Sequence, residues 1–185
     1  MRKKASSRAE VAKLQLTSVR PILLAEDSPD DEFLFLDLIR RSRITNPVIV
    51  VRDGTEAIAC LKGEGPFADT DRYPLPSVLF LDLKMPKVNG IEVLQWVKTQ
   101  PHLQDLVRII LTHHQNVKDV NLAYELGAHS FLTKPFTQEE LCNLVQHYGT
   151  HFDGCCGQEF PTASPQMDSR VSQRPETISP NTDIG

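Results

Sequence analysis

Short apolar runs alternate along this chain with longer segments in which apolar side chains recur at helical spacing. Short, uninterrupted apolar runs are typical of strands that are buried on both faces of a parallel sheet. Five strands are predicted, at 20–25, 47–51, 78–81, 106–111 and 130–133. Each is followed by a predicted helix, at 29–41, from the Asp53 cap to about 61, at 90–99, at 117–126 and at 138–148.

Cap and turn residues support these boundaries. Ser28-Pro29 offers a cap residue and then proline at the first helical position. Asp53 and Glu56 have the spacing of a capping box, and Gly127 is suited to the end of a helix. A strand followed by a helix, five times over, predicts an α/β fold. We expect a doubly wound, five-stranded parallel sheet in the flavodoxin-like order 2-1-3-4-5, with helices on both faces.

The 185 residues suffice for one domain with extensions. Residues 1–18 are polar and basic and are predicted to form a flexible arm, which either contacts an acidic partner or membrane or is simply solvated. Residues 19–152 are predicted to form the folded domain. Residues 153–185 are rich in Pro, Ser and Thr without an apolar period, which predicts a disordered tail.

Charge and cysteine content exclude several classes of function. The net charge is −4, and residues 1–20 hold six of the 20 Lys and Arg, so the predicted domain is acidic and does not favour nucleic acid. No apolar run approaches the roughly 20 residues of a membrane helix, and no apolar stretch follows the basic start as in a signal peptide. The cysteines lack C-x-x-C spacing, which favours a reducing, cytoplasmic setting; they are Cys60, Cys142, Cys155 and Cys156.

Functional side chains follow four of the five predicted strands. Glu26 and Asp27 follow the first strand, Asp82 the third, Thr112 the fourth and Lys134 the fifth. Because the carboxyl ends of parallel strands share one edge, which is where such sheets keep their ligand sites, we expect these side chains to converge. Asp82 taken alone could equally be a turn cap.

The converging groups predict phosphoryl chemistry. Three carboxylates crowd each other as bare charges and require a cation, and the oxygen ligands and open edge suit Mg²⁺. Lys134 supplies a second positive charge that would offset negative charge on transferring oxygens. An aspartate is a competent phosphoryl acceptor, so Asp82 would form an aspartyl phosphate.

Four motifs resemble the receiver domain of two-component response regulators. They are AED at 25–27, LDLKMPKVNG at 81–90, LT at 111–112 and FLTKP at 131–135. The resemblance covers about residues 20–150, and it is specific because the motifs occur in the right order at the right strand ends. The run ILLAEDSPDDEFL and the long loop before Tyr73 look most like stand-alone regulators associated with phytochrome-type histidine kinases.

The resemblance implies roles for individual residues. Asp82 would be the phosphoacceptor, while Glu26, Asp27, Asp82 and the backbone carbonyl of Lys84 would serve Mg²⁺. Thr112 would hydrogen-bond the phosphoryl oxygens.

Two further positions take roles from the resemblance. Lys134 would pair with the phosphoryl oxygens, and the Lys134–Pro135 bond would be cis. Phe131 occupies the position of the switch aromatic, and its ring would move by packing alone when Thr112 turns inward.

The implied function is that of a single-domain response regulator. It would accept a phosphoryl group from a histidine kinase and signal to a downstream protein by protein–protein contact, without turning over an outside substrate as an enzyme does. A phosphorelay intermediate and a phosphorylation-independent interaction module are the alternatives. A haloacid-dehalogenase-type phosphatase is excluded because position 84 of the required D-x-D is Lys. Homodimerisation through the last two helices and strand is common in the family.

Three features depart from this pattern or add to it. Lys84 carries a cation two residues after the acceptor, so we expect slow dephosphorylation, which the lifetime of the phosphorylated protein would test. His114 either is solvated or makes the site sensitive to pH. The helix at 29–41 has more apolar surface than one buried stripe requires, and the excess either widens the core face or docks a partner helix.

Overall fold

The computed structural model describes residues 19–113 and 117–154, except for the side chain of Val117. The predicted arm at 1–18, His114, Cys155, Cys156 and nearly all of the predicted tail lie outside the described residues. Five parallel strands form one sheet in the order β2-β1-β3-β4-β5, which confirms the predicted fold and strand order. The strands are β1 (Ile22–Ala25), β2 (Val48–Val51), β3 (Val78–Asp82), β4 (Val107–Thr112) and β5 (Ser130–Thr133).

Within residues 19–113 and 117–154, five α-helices connect and follow the strands at nearly the predicted positions. They are α1 (Pro29–Arg41), α2 (Gly54–Lys62), α3 (Gly90–Lys98), α4 (Val117–Glu125) and α5 (Gln138–His147). Short 3₁₀ turns add to them at Gly65–Phe67, Pro101–Leu103 and Gly149–His151. The first of these lies in the long connection between α2 and β3. None of the helices in 19–113 and 117–154 has the length and apolar character needed to cross a membrane.

Side-chain caps explain where several helices begin. The side chain of Ser28 accepts a hydrogen bond from the backbone amide of Asp31 and starts α1. Asn89 and Thr137 each form a complete capping box, at α3 and α5 respectively. Asp53 caps α2 through the amide of Glu56. These caps fix the first turns of helices that begin just beyond the carboxyl edge of the sheet.

The sheet separates two apolar layers. Alternate strand residues point to opposite faces, so Leu23 and Leu79 pack on one side, and Leu24 and Phe80 on the other. Helices α2, α3 and α4 cover the first face. Helices α1 and α5 cover the second, where Phe35 meets Phe80 edge to face at 4.8 Å between ring centroids. Both faces are covered, which explains the uninterrupted apolar strands.

Helix α1 buries only part of its apolar surface. Phe35 and Ile39 lie in the core, whereas Phe33 is 71% exposed and Leu34 is 50% exposed. The wide apolar face predicted from the sequence is therefore divided. One part packs on the sheet, and the other faces solvent on the first turns of the helix.

The segment after α5 closes the amino-terminal edge of the sheet. Phe152 is 7% exposed and packs with Phe80, with 6.4 Å between ring centroids. The Asn46 amide nitrogen donates to the carbonyl of Arg20 at 2.8 Å and to that of His151 at 3.3 Å. The backbone amide of Asp153 donates to the Asn46 side chain at 2.6 Å. The chain therefore remains packed beyond the last helix.

Candidate functional site

The register of the sheet brings two carboxylates side by side. Ala25 of β1 pairs with Leu81 of β3, so the next residues along, Glu26 and Asp82, follow at the same edge. Glu26 is 1% exposed and Asp82 is 5% exposed, whereas Asp27 is exposed. One carboxylate oxygen from each of these three residues lies within 4.8 Å of the others. The structure thus brings together the three acids that the sequence predicted to converge.

Lys134 reaches the same cluster from the end of β5. Its ammonium donates to Asp82 Oδ2 at 2.6 Å and also to Glu26. The side chain is buried, and its backbone amide donates to the Thr112 carbonyl at 2.8 Å. The Lys134–Pro135 peptide bond is cis, as the family resemblance implied. Two neighbouring strand ends therefore hold the lysine over the carboxylates.

Burial and pairing shift the pKa values of this cluster. Burial raises the pKa of Glu26 above its usual range, and the hydrogen bond and charge of Lys134 offset only part of that rise. Burial acts to lower the pKa of Lys134, but hydrogen bonds to Asp82 and Glu26 outweigh it, so its pKa is raised. The lysine is therefore a fixed cation at neutral pH, and its charge does not bring the pKa of Glu26 back to the usual range.

Asp31 is a fourth carboxylate at the site, and the sequence analysis did not assign it. Its Oδ2 accepts from Lys134 Nζ at 3.1 Å and from His113 Nε2 at 3.0 Å. An acid in the first turn of a helix is ordinary, because it complements the helix dipole, and that role concealed the contact. The sequence shows Asp31 in the first turn of the helix, but its contact with Lys134 depends on how α1 packs across the sheet, which spacing along the chain does not reveal.

The loop after β3 is fixed against the acceptor strand. The backbone amide of Lys84 donates to Asp82 Oδ1 at 2.8 Å, while the Lys84 side chain is exposed. A Cβ at Gly90 would lie 2.3 Å from the Asp82 carbonyl oxygen, so only glycine fits where α3 begins. The amide of Gly90 donates to the Leu83 carbonyl at 3.1 Å and closes the loop.

A second anchor joins this loop to the start of α2. Lys87 Nζ donates to Asp53 Oδ2 at 2.5 Å, although Lys87 itself is largely exposed. Burial acts to raise the pKa of Asp53, but the hydrogen bond and charge of Lys87, together with hydrogen bonds from the backbone of Glu56 and Thr55, outweigh burial and lower that pKa. A Cβ at Gly54 would lie 2.2 Å from the Val88 carbonyl oxygen, so the two loops are in close contact.

Thr112 and Phe131 occupy the predicted places on β4 and β5. Thr112 is the buried last residue of β4, at the same edge as Asp82. Phe131 is half-buried and packs edge to face with Tyr124 of α4, with 6.3 Å between ring centroids. The two residues lie on neighbouring strands, since Ile110 pairs with Phe131 in the β4–β5 register.

The donor set fits a hard divalent cation. The three converging groups offer only carboxylate oxygens, which are the ligands that Mg²⁺ and Mn²⁺ accept. Lys134 supplies one positive charge against the several carboxylates around it, which leaves negative charge for a cation to offset. Glu26, Asp27 and Asp82 are the residues that could hold it.

The sequence matches the model of the response regulator receiver domain over residues 22–146. Among curated proteins, it is 37% identical over 125 residues to the response regulator Rcp1 of Synechocystis, covering 68% of this chain and 83% of Rcp1. The Mn²⁺-bound structure of Rcp1 aligns with a TM-score of 0.60 at 35% identity, covering 71% of this chain and 92% of that one.

Two other solved structures are similar across most of the described residues. The bacteriophytochrome response regulator RtBRR is 38% identical with a TM-score of 0.66, covering 77% of this chain and 85% of its own. The phosphorylated cyanobacterial phytochrome response regulator RcpA is 32% identical with a TM-score of 0.61, covering 70% of this chain and 91% of its own.

Proposed function

Because this chain belongs to the response regulator receiver family and so acts in phosphorelay signalling, we propose that Asp82 is the residue that receives the phosphoryl group. The observation that carries the proposal is the arrangement around its carboxylate. Asp82 lies beside Glu26 and Asp27 and accepts a hydrogen bond from Lys134 at 2.6 Å. Asp82 is buried, whereas Asp27 beside it is exposed to solvent. An aspartate that only capped a turn would need none of these neighbours.

The transfer step follows from the groups at this edge. A carboxylate oxygen of Asp82 attacks the phosphorus of a phosphohistidine, an O–P bond forms and the P–N bond breaks. The released imidazole takes up a proton from solvent. Lys134, already in contact with the acceptor carboxylate, pairs with the negative oxygens of the transferring group and offsets their charge. The amide of Lys84 orients the acceptor by its bond to Oδ1.

A divalent cation, which we propose is Mg²⁺, would be held by Glu26, Asp27 and Asp82 together with the backbone carbonyl of Lys84. When bound, it supplies positive charge that offsets the charge of the transferring oxygens. The carboxylate-only donor set and the excess negative charge of the cluster support this assignment. A cation beside the buried Glu26 would counter the burial that raises the pKa of this residue.

The structural effect of phosphorylation would reach the surface through β4 and β5. A phosphoryl group on Asp82 adds strong acceptors, and the Thr112 hydroxyl can donate to them. Movement of Thr112 would change the space available to Phe131, which already packs against Tyr124 of α4. The exposed face of α4, β5 and α5 would then signal to a downstream protein. Homodimerisation through that face stays a prediction.

The donor partner that we propose is a histidine kinase of the phytochrome type. RtBRR and RcpA support this class of partner, because they are described as a bacteriophytochrome and a phytochrome response regulator. Leu34 of α1 lines the same surface cavity as Glu26 and Lys134, and together with the exposed Phe33 it offers an apolar surface for the kinase helix that carries the histidine. The free, buried thiols of Cys60 and Cys142 support a reducing, cytoplasmic location.

Phosphorylation by a small donor tests the function. With acetyl phosphate and Mg²⁺, the wild-type chain should gain the mass of one phosphoryl group, and Asp82→Asn should not, because an amide is a poor nucleophile. Intact-mass spectrometry measures both. Asp105→Asn, which changes an exposed acid away from this edge, serves as the matched control and should behave as wild type. An equal gain in mass by Asp82→Asn, or no gain in mass by the wild type, would contradict the proposal.

A further inference from the structure

Lys134 has three carboxylate partners among the described residues, and they are not equivalent. Its ammonium contacts Asp82 Oδ2 at 2.6 Å, Glu26, and Asp31 Oδ2 at 3.1 Å. Glu26 and Asp82 also belong to the cluster that could hold a metal ion, together with Asp27. Asp31 does not belong to that cluster. A cation bound to that cluster would therefore coordinate two partners of Lys134 but not Asp31.

This difference matters when a divalent cation enters the site. A carboxylate that coordinates a cation turns its lone pairs toward it, and an ammonium at the same oxygen atoms is repelled. Two of the three contacts of Lys134 are therefore weakened together. Without another anchor, the buried lysine would either compete with the cation for Glu26 and Asp82 or lose its fixed position over the acceptor.

Asp31 is held in place from two sides. Its backbone amide donates to Ser28 Oγ at 3.3 Å, which fixes the first turn of α1. His113, the residue after β4, donates from Nε2 to the same Asp31 oxygen that contacts Lys134, at 3.0 Å. Asp31 is about four-fifths buried, whereas His113 is about half exposed. The histidine therefore covers the outer side of the Asp31–Lys134 pair.

We propose that Asp31, supported by His113, is a positioning residue that holds the Lys134 ammonium while a divalent cation engages Glu26 and Asp82. The inference rests on the proposed function of the Asp82 site and extends it. Asp31 keeps the lysine where it can pair with incoming phosphoryl oxygens, and it removes the lysine as a competitor for the oxygens of the cation ligands. It touches neither the acceptor nor the cation itself.

The rival explanation is that Asp31 is only a negative charge at the rim, which attracts any cation. The two explanations differ in their dependence on Lys134. If Asp31 acts through the lysine, its substitution matters only while the lysine is present. If it acts as a general charge, its substitution weakens cation binding to the same extent with or without the lysine.

A double-mutant cycle on the full chain separates these cases. Calorimetric titration with Mn²⁺ and with Mg²⁺ would be carried out on wild type, Asp31→Asn, Lys134→Met and the double variant. We expect Asp31→Asn to weaken cation binding roughly tenfold in the wild-type background, as the loss of a charge-assisted hydrogen bond does. In the Lys134→Met background it should change binding less than about twofold. Equal effects in both backgrounds would overturn the proposal.

Two single variants keep the proposal testable if Lys134→Met does not fold. Asp30→Asn removes the same charge one residue away, at an exposed side chain in the first turn of α1, and should leave cation affinity unchanged. His113→Ala should weaken binding in the same direction as Asp31→Asn but by less. Equal affinities for Asp31→Asn and Asp30→Asn would also overturn the proposal, as would a chain that binds neither cation.

Phosphorylation adds an independent readout. At saturating Mg²⁺, Asp31→Asn should accept phosphate from acetyl phosphate roughly tenfold more slowly than wild type, because a displaced Lys134 meets the phosphoryl oxygens less well. A wild-type chain that gains no phosphoryl group would contradict the proposed function. A wild-type chain that is phosphorylated at Asp82, with Asp31→Asn reacting equally fast, would contradict only the role of Asp31.

Discussion

His129 shows how one polar contact makes stability depend on pH. Its Nδ1 accepts a hydrogen bond from the backbone amide of Arg108 at 3.1 Å, at the edge of the sheet opposite the carboxylates. Burial lowers the pKa of His129, and the charges of Arg108 and His151 lower it further. Protonation would remove the acceptor and place a second cation beside the Arg108 side chain. The folded chain therefore disfavours the proton that the unfolded chain accepts.

The sign of the effect follows from linkage. Since the folded pKa lies below the usual value of 6.5, the unfolded chain binds more protons between these two values, and stability falls as pH falls through them. Between about pH 7.5 and about pH 5.5, the free energy of unfolding of wild type should fall more than that of His129→Gln. Denaturant titrations at both pH values measure the difference. His102→Gln, at an exposed position, is the matched control.

At the scale of residues, the sequence predicted those site members that end strands. Glu26, Asp82 and Lys134 lie at the ends of predicted strands, and strand register then brings them together. Asp31 lies on a helix, and its distance from Lys134 depends on how α1 packs across the sheet. Such packing is a tertiary property, which explains why the fourth carboxylate could not be located from spacing along the chain.

Helix α1 combines three tasks along one element. Its first turn positions Asp31, its inner face packs Phe35 and Ile39 on the sheet, and its outer face exposes Phe33 and Leu34. The three tasks are coupled because they lie on one helix, whose first turn is capped by Ser28. The sequence predicted the helix and its excess apolar surface, but not which apolar side chains would remain outside.

The exposed side chains of α1 should affect phosphotransfer from the kinase but not phosphorylation by a small donor. Phe33→Ser should slow phosphotransfer from a phosphorylated phytochrome-type histidine kinase roughly tenfold, since exposed aromatic anchors often contribute more than about 1 kcal/mol to an interface. Phosphorylation by acetyl phosphate should be unchanged, because the exposed Phe33 side chain is neither a carboxylate of the site nor a hydrogen-bond partner of Lys134. Radiolabel transfer and intact-mass spectrometry measure the two rates.

A matched control for this experiment lies on the other layer. Leu122 of α4 is also exposed, and Leu122→Ser should leave transfer from the kinase unchanged. If Phe33→Ser and Leu122→Ser slow phosphotransfer from the kinase equally, the α1 surface is not the docking site. If Phe33→Ser also slows phosphorylation by acetyl phosphate, the substitution has disturbed the acceptor site itself.

For the molecule as a whole, strand order could be predicted because alternation of strands and helices leaves few right-handed arrangements. The end of the folded domain is harder to predict, because it depends on packing after the last helix. The match to the receiver family ends at residue 146, yet Phe152 is buried against Phe80. We therefore infer that the folding unit extends through Phe152, as the predicted domain of 19–152 has it.

Truncation of that side chain tests the boundary. Phe152→Ala should lower the free energy of unfolding by about 3 kcal/mol, as the loss of a buried aromatic ring does. Phe33→Ala removes the same ring from an exposed position and should change it by less than about 0.5 kcal/mol. Urea denaturation measures both. Equal, small effects would place the end of the folding unit before Phe152.

The two hydrogen bonds of the Asn46 amide nitrogen have a topological consequence. That single nitrogen donates to Arg20, just before the first strand, and to His151, just after the last helix, so the backbone enters and leaves the domain at one point. The two ends of the domain therefore lie close together, which is the arrangement that tolerates circular permutation. Both ends lie at the sheet edge opposite Asp82, so segments attached to either end start away from the phosphoryl acceptor.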